Sequence, residues 1–426
     1  MKAIIFYPEV YEIARFKEKR KEFPPFGVLY LASVLENQGV NMKIEKITTK
    51  NRKFDLREYD IVLYSLSSSC TYGMMLNSRN NSLFKKECIV ITGGIHASLY
   101  PYQTLNDFSA DATILGEGEV TLPLTINELL NRKQQLIKGV IFRNQIVNSD
   151  DWFSEPIKDL DSIPFPARHL IPIEDFIFPD RLSRMNLNMT HILTSRGCPF
   201  NCYFCGGLNK IHRYRSPQNI YDELLMLKEV YEIEGFVIND ENFIINETKV
   251  KDICEKIASL KMPWSALSRV DTINKNIVES IARASCIELK FGLESGSDTM
   301  LKNMNKGNTI IQAENTLKLC KKYGLKAKLF MIHGFPGENW TTTKETIGFL
   351  ERNKNYIDRV SLFSWTPLPG SYVYNNSKKY GLDSKKLTYD NAVIYSENFD
   401  WFECEEENII IKESFTVLKQ YIASNF

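Results

Sequence analysis

The stretch "TSRGCPFNCYFC", from Thr194 to Cys205, decides how the rest of this sequence is interpreted. It places Cys198, Cys202 and Cys205 within eight residues, in the spacing Cys-x3-Cys-x2-Cys. Paired thiols would indicate a disulfide, but a group of three indicates a metal centre with one position left open. Soft thiolates select soft metals, so three of them in one loop favour an iron–sulfur cluster, whose cubane form normally takes four thiolates.

Two other interpretations of the three cysteines are a structural zinc site and simple packing. Zinc needs a fourth ligand and usually shows two spaced pairs, and His212 is the histidine that would have to supply it. Packing cysteines are not usually surrounded by glycine and proline, as these are. Both interpretations remain open on the spacing alone.

Length and charge limit the classes of protein that this chain can be. It has 426 residues, of which 43% are hydrophobic and 25% charged, which is typical of a soluble protein of roughly two or three domains. The net charge of +1 gives no electrostatic reason to expect nucleic acid or an anionic membrane as a partner. No stretch reaches the roughly 18 apolar residues of a membrane span. We therefore expect a cytoplasmic protein whose nine cysteines are free thiols or metal ligands.

Residues 1–150 alternate short apolar runs with helical patterns. Runs that are apolar throughout and separated by helices predict a parallel sheet covered on both faces, which is a doubly wound, Rossmann-like α/β domain. Its ligand site should lie at the carboxyl ends of the strands. "GVIFRNQIVNSD" (139–150) looks like a hairpin. The predicted strands are 3–7, 42–47, 60–66, 88–94 and 112–118, and the clearest helix is 26–39.

A second alternation of strands and helices occupies residues 190–375. It contains six candidate strands, which is too few for a closed eight-fold barrel, so we expect an open partial (β/α)6 barrel of the TIM type with its chemistry at the carboxyl ends. Proline-rich residues 151–189 are predicted to form a linker, and residues 376–426 a short C-terminal extension. The candidate strands are 191–197, 236–241, 264–270, 288–295, 326–334 and 359–367.

The cysteine motif and its surroundings resemble those of the radical S-adenosylmethionine (radical SAM) superfamily. The similarity runs through "SRGCPFNCYFC", "RYRSPQNIYDEL", "FVINDENF", "FGLESGSDTMLKNMNKG", "HGFPGENWTTTKETIGFL" and "PLPGSYVY". The N-terminal "PPFGVLYLASVLENQGV", "ITGGIHAS" and "ATILGEGE" resemble the cobalamin-binding domain that precedes the barrel in one subgroup.

The resemblance implies a role for each residue that matches a motif of the barrel. Cys198, Cys202 and Cys205 would hold a [4Fe–4S] cluster, and the amino and carboxylate groups of S-adenosylmethionine would chelate its open iron. Phe204, just before the third cysteine, would lie near the adenine.

The remaining cofactor contacts are implied at the ends of later strands. Asp240 and Glu241, in "NDE" where the family has "GGE", would accept hydrogen bonds from the ammonium group, and Arg269 would pair bidentately with the carboxylate. Glu294 would bind the ribose hydroxyls. Gly334 and Pro336 would let the adenine approach the backbone. The alternatives are that Asp240 only caps a helix and that Arg269 is a surface residue.

The first domain would bind cobalamin if the resemblance extends to its ligand. The chain lacks the Asp-x-His-x-x-Gly motif that supplies a histidine to cobalt in many cobalamin domains, and in the resembling subgroup that face of cobalt often has no protein histidine. The alternative is a retained sheet without a cofactor. The candidates to line the pocket are Ser67, Ser68, Gly93, Gly94, His96, Glu117 and Gly118.

The leading hypothesis is a cobalamin-dependent methyltransferase. The resemblance implies that the reduced cluster cleaves S-adenosylmethionine to a 5′-deoxyadenosyl radical, which abstracts hydrogen from an unactivated carbon, and that methylcobalamin delivers the methyl group. The cofactors carry the difficult chemistry, and the protein orients them. The alternatives are a radical epimerase, cyclase, dehydratase or rearrangement enzyme, and a cobalamin- or metal-binding sensor without activity.

The partners follow from the same chemistry. A flavodoxin- or ferredoxin-type electron donor and a small-molecule or natural-product substrate are expected, and the sequence does not identify that substrate. Cys404 precedes three glutamates, and some radical enzymes use such a C-terminal cysteine as a hydrogen-atom donor. The other interpretation of Cys404 is a surface cysteine in a polar tail.

Overall fold

The apolar runs of the N-terminal part form a six-stranded sheet. The structure is a computed structural model that describes residues 1–9, 23–147, 152–179, 187–393 and 396–426. The strands are β1 (Lys2–Pro8), β2 (Asn41–Ile47), β3 (Ile61–Ser65), β4 (Ile89–Gly93), β5 (Ala112–Ile114) and β6 (Val140–Phe142). The helices are α1 (Phe26–Glu36), α2 (Tyr72–Asn81), α3 (Ile95–Leu99), α4 (Pro101–Asp107) and α5 (Thr121–Leu130).

This sheet has the order β2-β1-β3-β4-β5-β6 and is parallel except for β6. Successive residues of β1 point to opposite faces, so Ala3 and Ile5 enter one apolar core while Ile4 and Phe6 enter another. A core on each face is the expected doubly wound architecture, which is confirmed.

The C-terminal part forms a seven-stranded sheet and a small ribbon. Its strands are β7 (Phe178–Pro179), β8 (Asn188–Ile192), β9 (Ser195–Arg196), β10 (Arg213–Tyr214), β11 (Gly235–Ile238), β12 (Trp264–Ser268), β13 (Cys286–Glu294), β14 (Lys326–His333) and β15 (Arg359–Ser364). Its helices are α6 (Pro217–Tyr231), α7 (Glu247–Ile257), α8 (Lys275–Arg283), α9 (Asp298–Asn303), α10 (Ile310–Lys322), α11 (Trp340–Arg352), α12 (Tyr372–Asn375) and α13 (Glu405–Asn425).

The order β15-β14-β13-β12-β11-β8-β7 contains the six parallel strands predicted for an open (β/α)6 barrel, with β7 antiparallel at one edge. The helices cover one face with an apolar core. Helix α13, from the predicted C-terminal extension, places Leu418 and Ile422 in that core. The extension is therefore part of the barrel's packing.

The chain divides into two units that differ from the predicted boundaries. Unit 1 is Met1–Phe176 with Thr388–Val393, and unit 2 holds the described residues 177–387 and those from 396 onward. Residues 152–176 of the predicted linker belong to unit 1, where Ala167, Ile171 and Phe176 are buried, because its prolines separate apolar side chains that enter the core. Residues 151 and 180–186 of that linker lie outside the described residues.

The predicted hairpin at 139–150 does not form within the described residues. Val140–Phe142 pairs instead with Ala112–Ile114, residues 143–147 contain no strand, and 148–150 lie outside the described residues. None of the helices in the described part of the chain combines the length and the apolar character that crossing a membrane requires.

Candidate functional site

The cysteine loop of unit 2 is closed at its base by a two-stranded ribbon. Strand β9, just after the barrel strand β8, pairs antiparallel with β10, and the loop between them carries the three cysteines. Gly197 has φ +85°, and a Cβ there would lie 2.3 Å from the Ile211 carbonyl oxygen, so only glycine fits this crossing. The Cys198 backbone N–H donates to the Asn209 carbonyl at 3.0 Å. The first residues of the loop are therefore fixed at the carboxyl end of the first barrel strand.

The three cysteines do not form a site for a single metal ion. All nine cysteines are free thiols. Among the residues that the structure describes, no three cysteine, histidine or acidic side chains lie close enough to share one ion. His212, the alternative zinc ligand, instead contacts the Asn242 carbonyl oxygen through Nε2 at 3.2 Å. The thiols fit a polynuclear cluster better than zinc, because each thiolate of such a cluster binds a different iron and the sulfurs need not converge.

Asp240 lies beneath the cysteine loop as its anchor. The Thr194 backbone N–H donates to Asp240 Oδ1 at 2.7 Å, and the hydroxyls of Thr194 and Ser195 donate to Oδ2 at 2.5 and 2.6 Å. Asp240 is buried. Its carboxylate is therefore occupied by the residues that begin the loop, which differs from the predicted contact with the cofactor's ammonium group.

Asp240→Asn is expected to weaken the attachment of Thr194 and Ser195, which begin the cysteine loop. The amide keeps one acceptor oxygen but lacks the negative charge that strengthens all three hydrogen bonds, so the free energy of unfolding should fall by about 1–3 kcal/mol. Urea titration would measure the change. Asp222→Asn, which alters an exposed carboxylate of α6, is the matched control. Equal stability of the two variants would contradict the anchoring role.

Glu241, next to Asp240, is exposed near the cysteine loop. Burial raises the pKa of the Cys198 thiol, and the charge of Glu241 raises the same pKa further. A carboxylate close enough to act on this thiol is well placed to meet a cationic group bound at the loop.

Arg269 is placed at the loop but in a different pairing from the predicted one. Its Nε and Nη2 atoms donate to Asp271 at 2.9 and 2.8 Å, and Nη2 also donates to the Lys306 carbonyl oxygen. The fork predicted to take the cofactor's carboxylate is therefore occupied, because the aspartate two residues on reaches both donors. Nη1 lies 3.6 Å from Cys202 Sγ in the cysteine loop.

Lys306 is a site residue that sequence reasoning missed. Its Nζ donates to Glu294 Oε1 at 2.8 Å, and both side chains are less than 10% exposed. Glu294 ends β13 at a register shift and has φ +75°, which costs about 1–2 kcal/mol for a residue with a Cβ. Lys306 Nζ also lies 5.6 Å from the ring centre of Phe204 in the cysteine loop. A buried cation thus lies beside two residues predicted to bind S-adenosylmethionine.

Several buried polar groups at this end of the barrel have no partner among the described residues. They are the Trp365 indole nitrogen, just after β15, and the side-chain amides of Asn242 and Asn308. An unmet buried donor or acceptor costs about 1–3 kcal/mol, so such groups mark places where a ligand supplies the missing bonds.

The space beside the loop "HGFPGE", at the end of β14, is occupied by another part of the protein. Gly334 has φ +93°, and a Cβ there would lie 2.9 Å from Ile411 Cγ2 of α13. Gly334 and Pro336 are both buried. The space expected for adenine at Gly334 is therefore taken by a helix about 75 residues further along the chain, and the prediction for this glycine is corrected.

A neutral pair supports the same loop. His333 Nδ1 lies 3.5 Å from Glu338 Oε2, while His333 Nε2 contacts the Ser414 hydroxyl at 2.9 Å. Burial lowers the pKa of His333 to about 3 and raises the pKa of Glu338 to about 7. Between these values both groups are uncharged, so their contact is a polar one and not an ion pair.

Glu338→Gln is expected to stabilise the protein in alkaline solution. The pKa of Glu338 rises from 4.5 to about 7 on folding, so its contribution to stability is complete below pH 4.5 and is lost as the pH rises through 7. Glutamine stays neutral, which should add about 3 kcal/mol at pH 8 and nothing at pH 4. The lowered pKa of His333 destabilises both proteins equally in acid. Denaturant unfolding across this range, with exposed Glu351→Gln of α11 as control, measures the difference, and parallel curves would contradict it.

The C-terminal extension packs an aromatic cluster beside the cysteine loop. Trp401 and Phe402 are buried in one cluster with Trp365, and Tyr203 and Phe204 pack against it. Cys404, two residues later, is exposed and precedes α13. The structure thus brings its neighbours to the loop but leaves this thiol at the surface.

In unit 1 the strand ends carry the small residues that were predicted there. Ser67 and Ser68 follow β3, and Gly93 and Gly94 lie at the end of β4, all at least partly exposed. Gly94 has φ +99°, and a Cβ there would lie 2.8 Å from the Leu66 carbonyl oxygen. This edge of the sheet therefore carries only small and polar residues, which leaves room for a large planar ligand to lie against the backbone.

Three other predicted cobalamin residues are used by the protein itself. His96 is fully buried, with Nδ1 2.9 Å from the Ser69 hydroxyl, and its ring packs among Tyr72, Tyr100 and Tyr389. Glu117 Oε2 accepts a hydrogen bond from the Ile157 backbone at 2.8 Å. Gly118 is buried, and a Cβ there would lie 3.1 Å from Leu31 in α1. These contacts correct the expectation that all three line the ligand edge.

The family comparisons agree with both units. The model described as "Radical SAM superfamily" matches residues 192–350, and the model described as "B12 binding domain" matches residues 18–125. The chain therefore contains a radical SAM domain preceded by a B12-binding domain. These domains imply three cofactors, namely a [4Fe–4S] cluster, S-adenosylmethionine and cobalamin.

Individual relatives narrow the class further. An uncharacterized methyltransferase of Pyrococcus horikoshii is 28% identical over 88% of this chain and 84% of its own. Cytidylyl-2-hydroxyethylphosphonate methyltransferase of Streptomyces wedmorensis is 24% identical over 87% and 82%. The solved structure of the radical S-adenosylmethionine methyltransferase TsrM from Kitasatospora setae has the same fold, with a TM-score of 0.71 at 14% identity, covering 99% of this chain and 89% of that one.

Proposed function

We propose that this protein is a cobalamin-dependent radical SAM methyltransferase that acts on an unactivated carbon. The observation that carries the proposal is the presence, in one chain, of a B12-binding domain and a barrel with three free cysteines in a braced loop at its strand ends. The two relatives described above are both named methyltransferases, which supports methyl transfer.

Cys198, Cys202 and Cys205 are the proposed ligands of the cluster. Such a cluster, when bound, supplies the electron for reductive cleavage of S-adenosylmethionine. The protein's own part is to hold the thiols in place, through the β9–β10 ribbon and the Asp240 anchor. Because the loop is fixed before the cofactors bind, it should lose little conformational entropy on binding.

The contacts of the cofactor's charged groups are assigned from the positions of the charged side chains around the cysteine loop. Glu241 is proposed to accept hydrogen bonds from the ammonium group, because Asp240 is occupied as the loop anchor. Lys306 is proposed to meet the carboxylate, because the Arg269 fork is taken by Asp271. Glu294 remains the proposed partner of the ribose hydroxyls.

The remaining assignments concern one aromatic ring and two residues of the loop after β14. Phe204 is proposed to lie along the adenine. Gly334 and Pro336 are proposed to support this part of the site without touching the cofactor, since both are buried.

In unit 1, Ser67, Ser68, Gly93 and Gly94 are the proposed contacts of cobalamin. His96 is not proposed as a cobalt ligand, because its ring is enclosed by three tyrosines and its other nitrogen contacts Ser69. A flavodoxin- or ferredoxin-type donor is proposed to supply electrons, and the substrate is proposed to be a small molecule.

The test follows a labelled methyl group and needs no substrate. The anaerobic, reconstituted protein is incubated with hydroxocobalamin, a strong reductant and S-adenosylmethionine that carries a deuterated methyl group. We expect S-adenosylhomocysteine, label in the corrinoid fraction, and 5′-deoxyadenosine. 5′-Deoxyadenosine without S-adenosylhomocysteine or labelled corrinoid would overturn methyl transfer and leave the epimerase, cyclase, dehydratase and rearrangement alternatives. Absence of both products would indicate a sensor.

A further inference from the structure

One nitrogen of Arg269 faces the sulfur of a cysteine in the loop. Arg269 directly follows β12, and its Nη1 lies 3.6 Å from Cys202 Sγ, within the range of a hydrogen bond to sulfur. A guanidinium has five N–H donors in a rigid plane and accepts none. When the sulfur is a thiolate, this contact is a charge-assisted hydrogen bond, which is stronger than one between neutral groups.

The rest of the guanidinium is held so firmly that Nη1 cannot turn away. Nε and Nη2 form a bidentate pair with Asp271, and Nη2 also donates to the Lys306 carbonyl oxygen. The guanidinium carbon lies 3.8 Å from the centre of the Phe200 ring, which belongs to the cysteine loop. Arg269 is only 5% exposed.

We propose that Arg269 is a positioning residue that raises the reduction potential of the iron–sulfur cluster by donating a hydrogen bond to the Cys202 thiolate. The inference rests on the proposed function, because it takes Cys202 as a cluster ligand. Reduction adds negative charge to a cluster and its sulfurs, so a fixed N–H donor stabilises the reduced form more than the oxidised form. Asp271 compensates most of the positive charge, which leaves the hydrogen bond as the main effect.

The effect should be about tenfold in the ratio of reduced to oxidised cluster. A hydrogen bond to a charged group contributes enough to change an equilibrium constant by about this factor. For a one-electron couple, a tenfold change corresponds to about 59 mV. A purely structural role makes a different prediction, which is incomplete iron loading with an unchanged potential in the molecules that are loaded.

The experiment is a redox titration of the reconstituted full chain, monitored by electron paramagnetic resonance without S-adenosylmethionine. At the potential that half-reduces the wild type, Arg269→Gln and Arg269→Lys should both show about one-tenth of its ratio of reduced to oxidised cluster. Arg269→Lys keeps the charge but cannot reach Asp271 and Cys202 together. Full iron with the wild-type potential in both variants would overturn the proposal, and so would a shift in Arg269→Gln alone, because it would assign the effect to charge.

Two further variants keep the test informative. Lys210→Gln removes an exposed cation that bonds the Phe200 carbonyl oxygen but no sulfur, and it should leave the ratio within about twofold. Asp271→Glu keeps both charges but moves the guanidinium by the length of one methylene, so it should weaken the bond to Cys202 and lower the potential as the Arg269 variants do. If the Arg269 variants hold no iron, an unchanged potential in Asp271→Glu overturns the proposal. Failure of the wild type to hold a cluster would count against the proposed function itself.

Discussion

Cys205→Ala protein is expected to retain less than one iron per chain after anaerobic reconstitution and to lose S-adenosylmethionine cleavage to background. An iron–sulfur cluster is held by thiolates, and a cubane with four irons that loses one of only three protein ligands has no substitute in this loop. Iron counting and quantitation of 5′-deoxyadenosine measure the two effects. Because Cys205 is exposed, its replacement should leave the free energy of unfolding of the apoprotein nearly unchanged.

The matched control is Cys404→Ala, the same substitution at another exposed thiol. It should keep about four irons per chain and full cleavage of S-adenosylmethionine. If Cys404→Ala abolished product while cleavage continued, the thiol would be a hydrogen-atom donor and epimerisation would replace methyl transfer. Normal iron content in Cys205→Ala would contradict the assignment of the cysteine triad.

Lys306→Met is expected to have a second large effect, on both stability and cofactor binding. Removing one partner of a buried ion pair leaves the Glu294 carboxylate uncompensated, which costs about 3–5 kcal/mol of folding free energy. If Lys306 also meets the cofactor's carboxylate, the affinity for S-adenosylmethionine should fall by about 30-fold or more. Denaturant unfolding and equilibrium dialysis measure the two quantities.

The double variant Lys306→Met/Glu294→Gln, compared with Glu294→Gln, separates these effects, because Glu294 is itself the proposed partner of the ribose hydroxyls. A neutral amide beside methionine removes the unpaired charge, so stability should largely return while the affinity stays about 30-fold below that of Glu294→Gln. Equal affinity of the double variant and Glu294→Gln would show that Lys306 only supports Glu294. Unchanged affinity in Lys306→Met alone would contradict the contact with the carboxylate.

The sequence predicts the architecture well because several parallel strands, such as β1, β3 and β11, are mostly apolar. Strand β3 and the predicted run 60–66 nearly coincide, for example, since Ile61 to Tyr64 are all buried. The hairpin at 139–150 fails because β6 takes its partner from about 28 residues earlier, and no local pattern indicates which strand a short apolar run will join. The linker fails because its prolines indicate irregular backbone but not exposure.

The candidate site is predictable where a motif fixes both residue and place. The cysteine loop is such a case, because its position after β8 and its glycines belong to one continuous stretch. The pairings of Arg269 and Lys306 are not predictable in the same way. Asp271 lies only two residues after Arg269, but that spacing does not show that its carboxylate binds the guanidinium. The contact of Lys306 with Glu294 depends on a β-bulge at Glu294 that the sequence pattern does not reveal.

Contacts between distant parts of the chain account for the other corrections. Ile411 reaches Gly334 from a helix that begins more than 70 residues later, and Tyr389 encloses His96 from nearly 300 residues away. In both cases the residue type at the strand end is suitable for a ligand, but a later segment of the chain covers it.

The central claim is that one chain holds both an iron–sulfur cluster and a corrinoid. The most direct measurement is anaerobic reconstitution with iron, sulfide and hydroxocobalamin, followed by desalting, iron counting and a visible spectrum. The account predicts about four irons and one retained corrinoid per chain. Four irons without a corrinoid would contradict it, because radical chemistry would then proceed without the cofactor that methyl transfer needs.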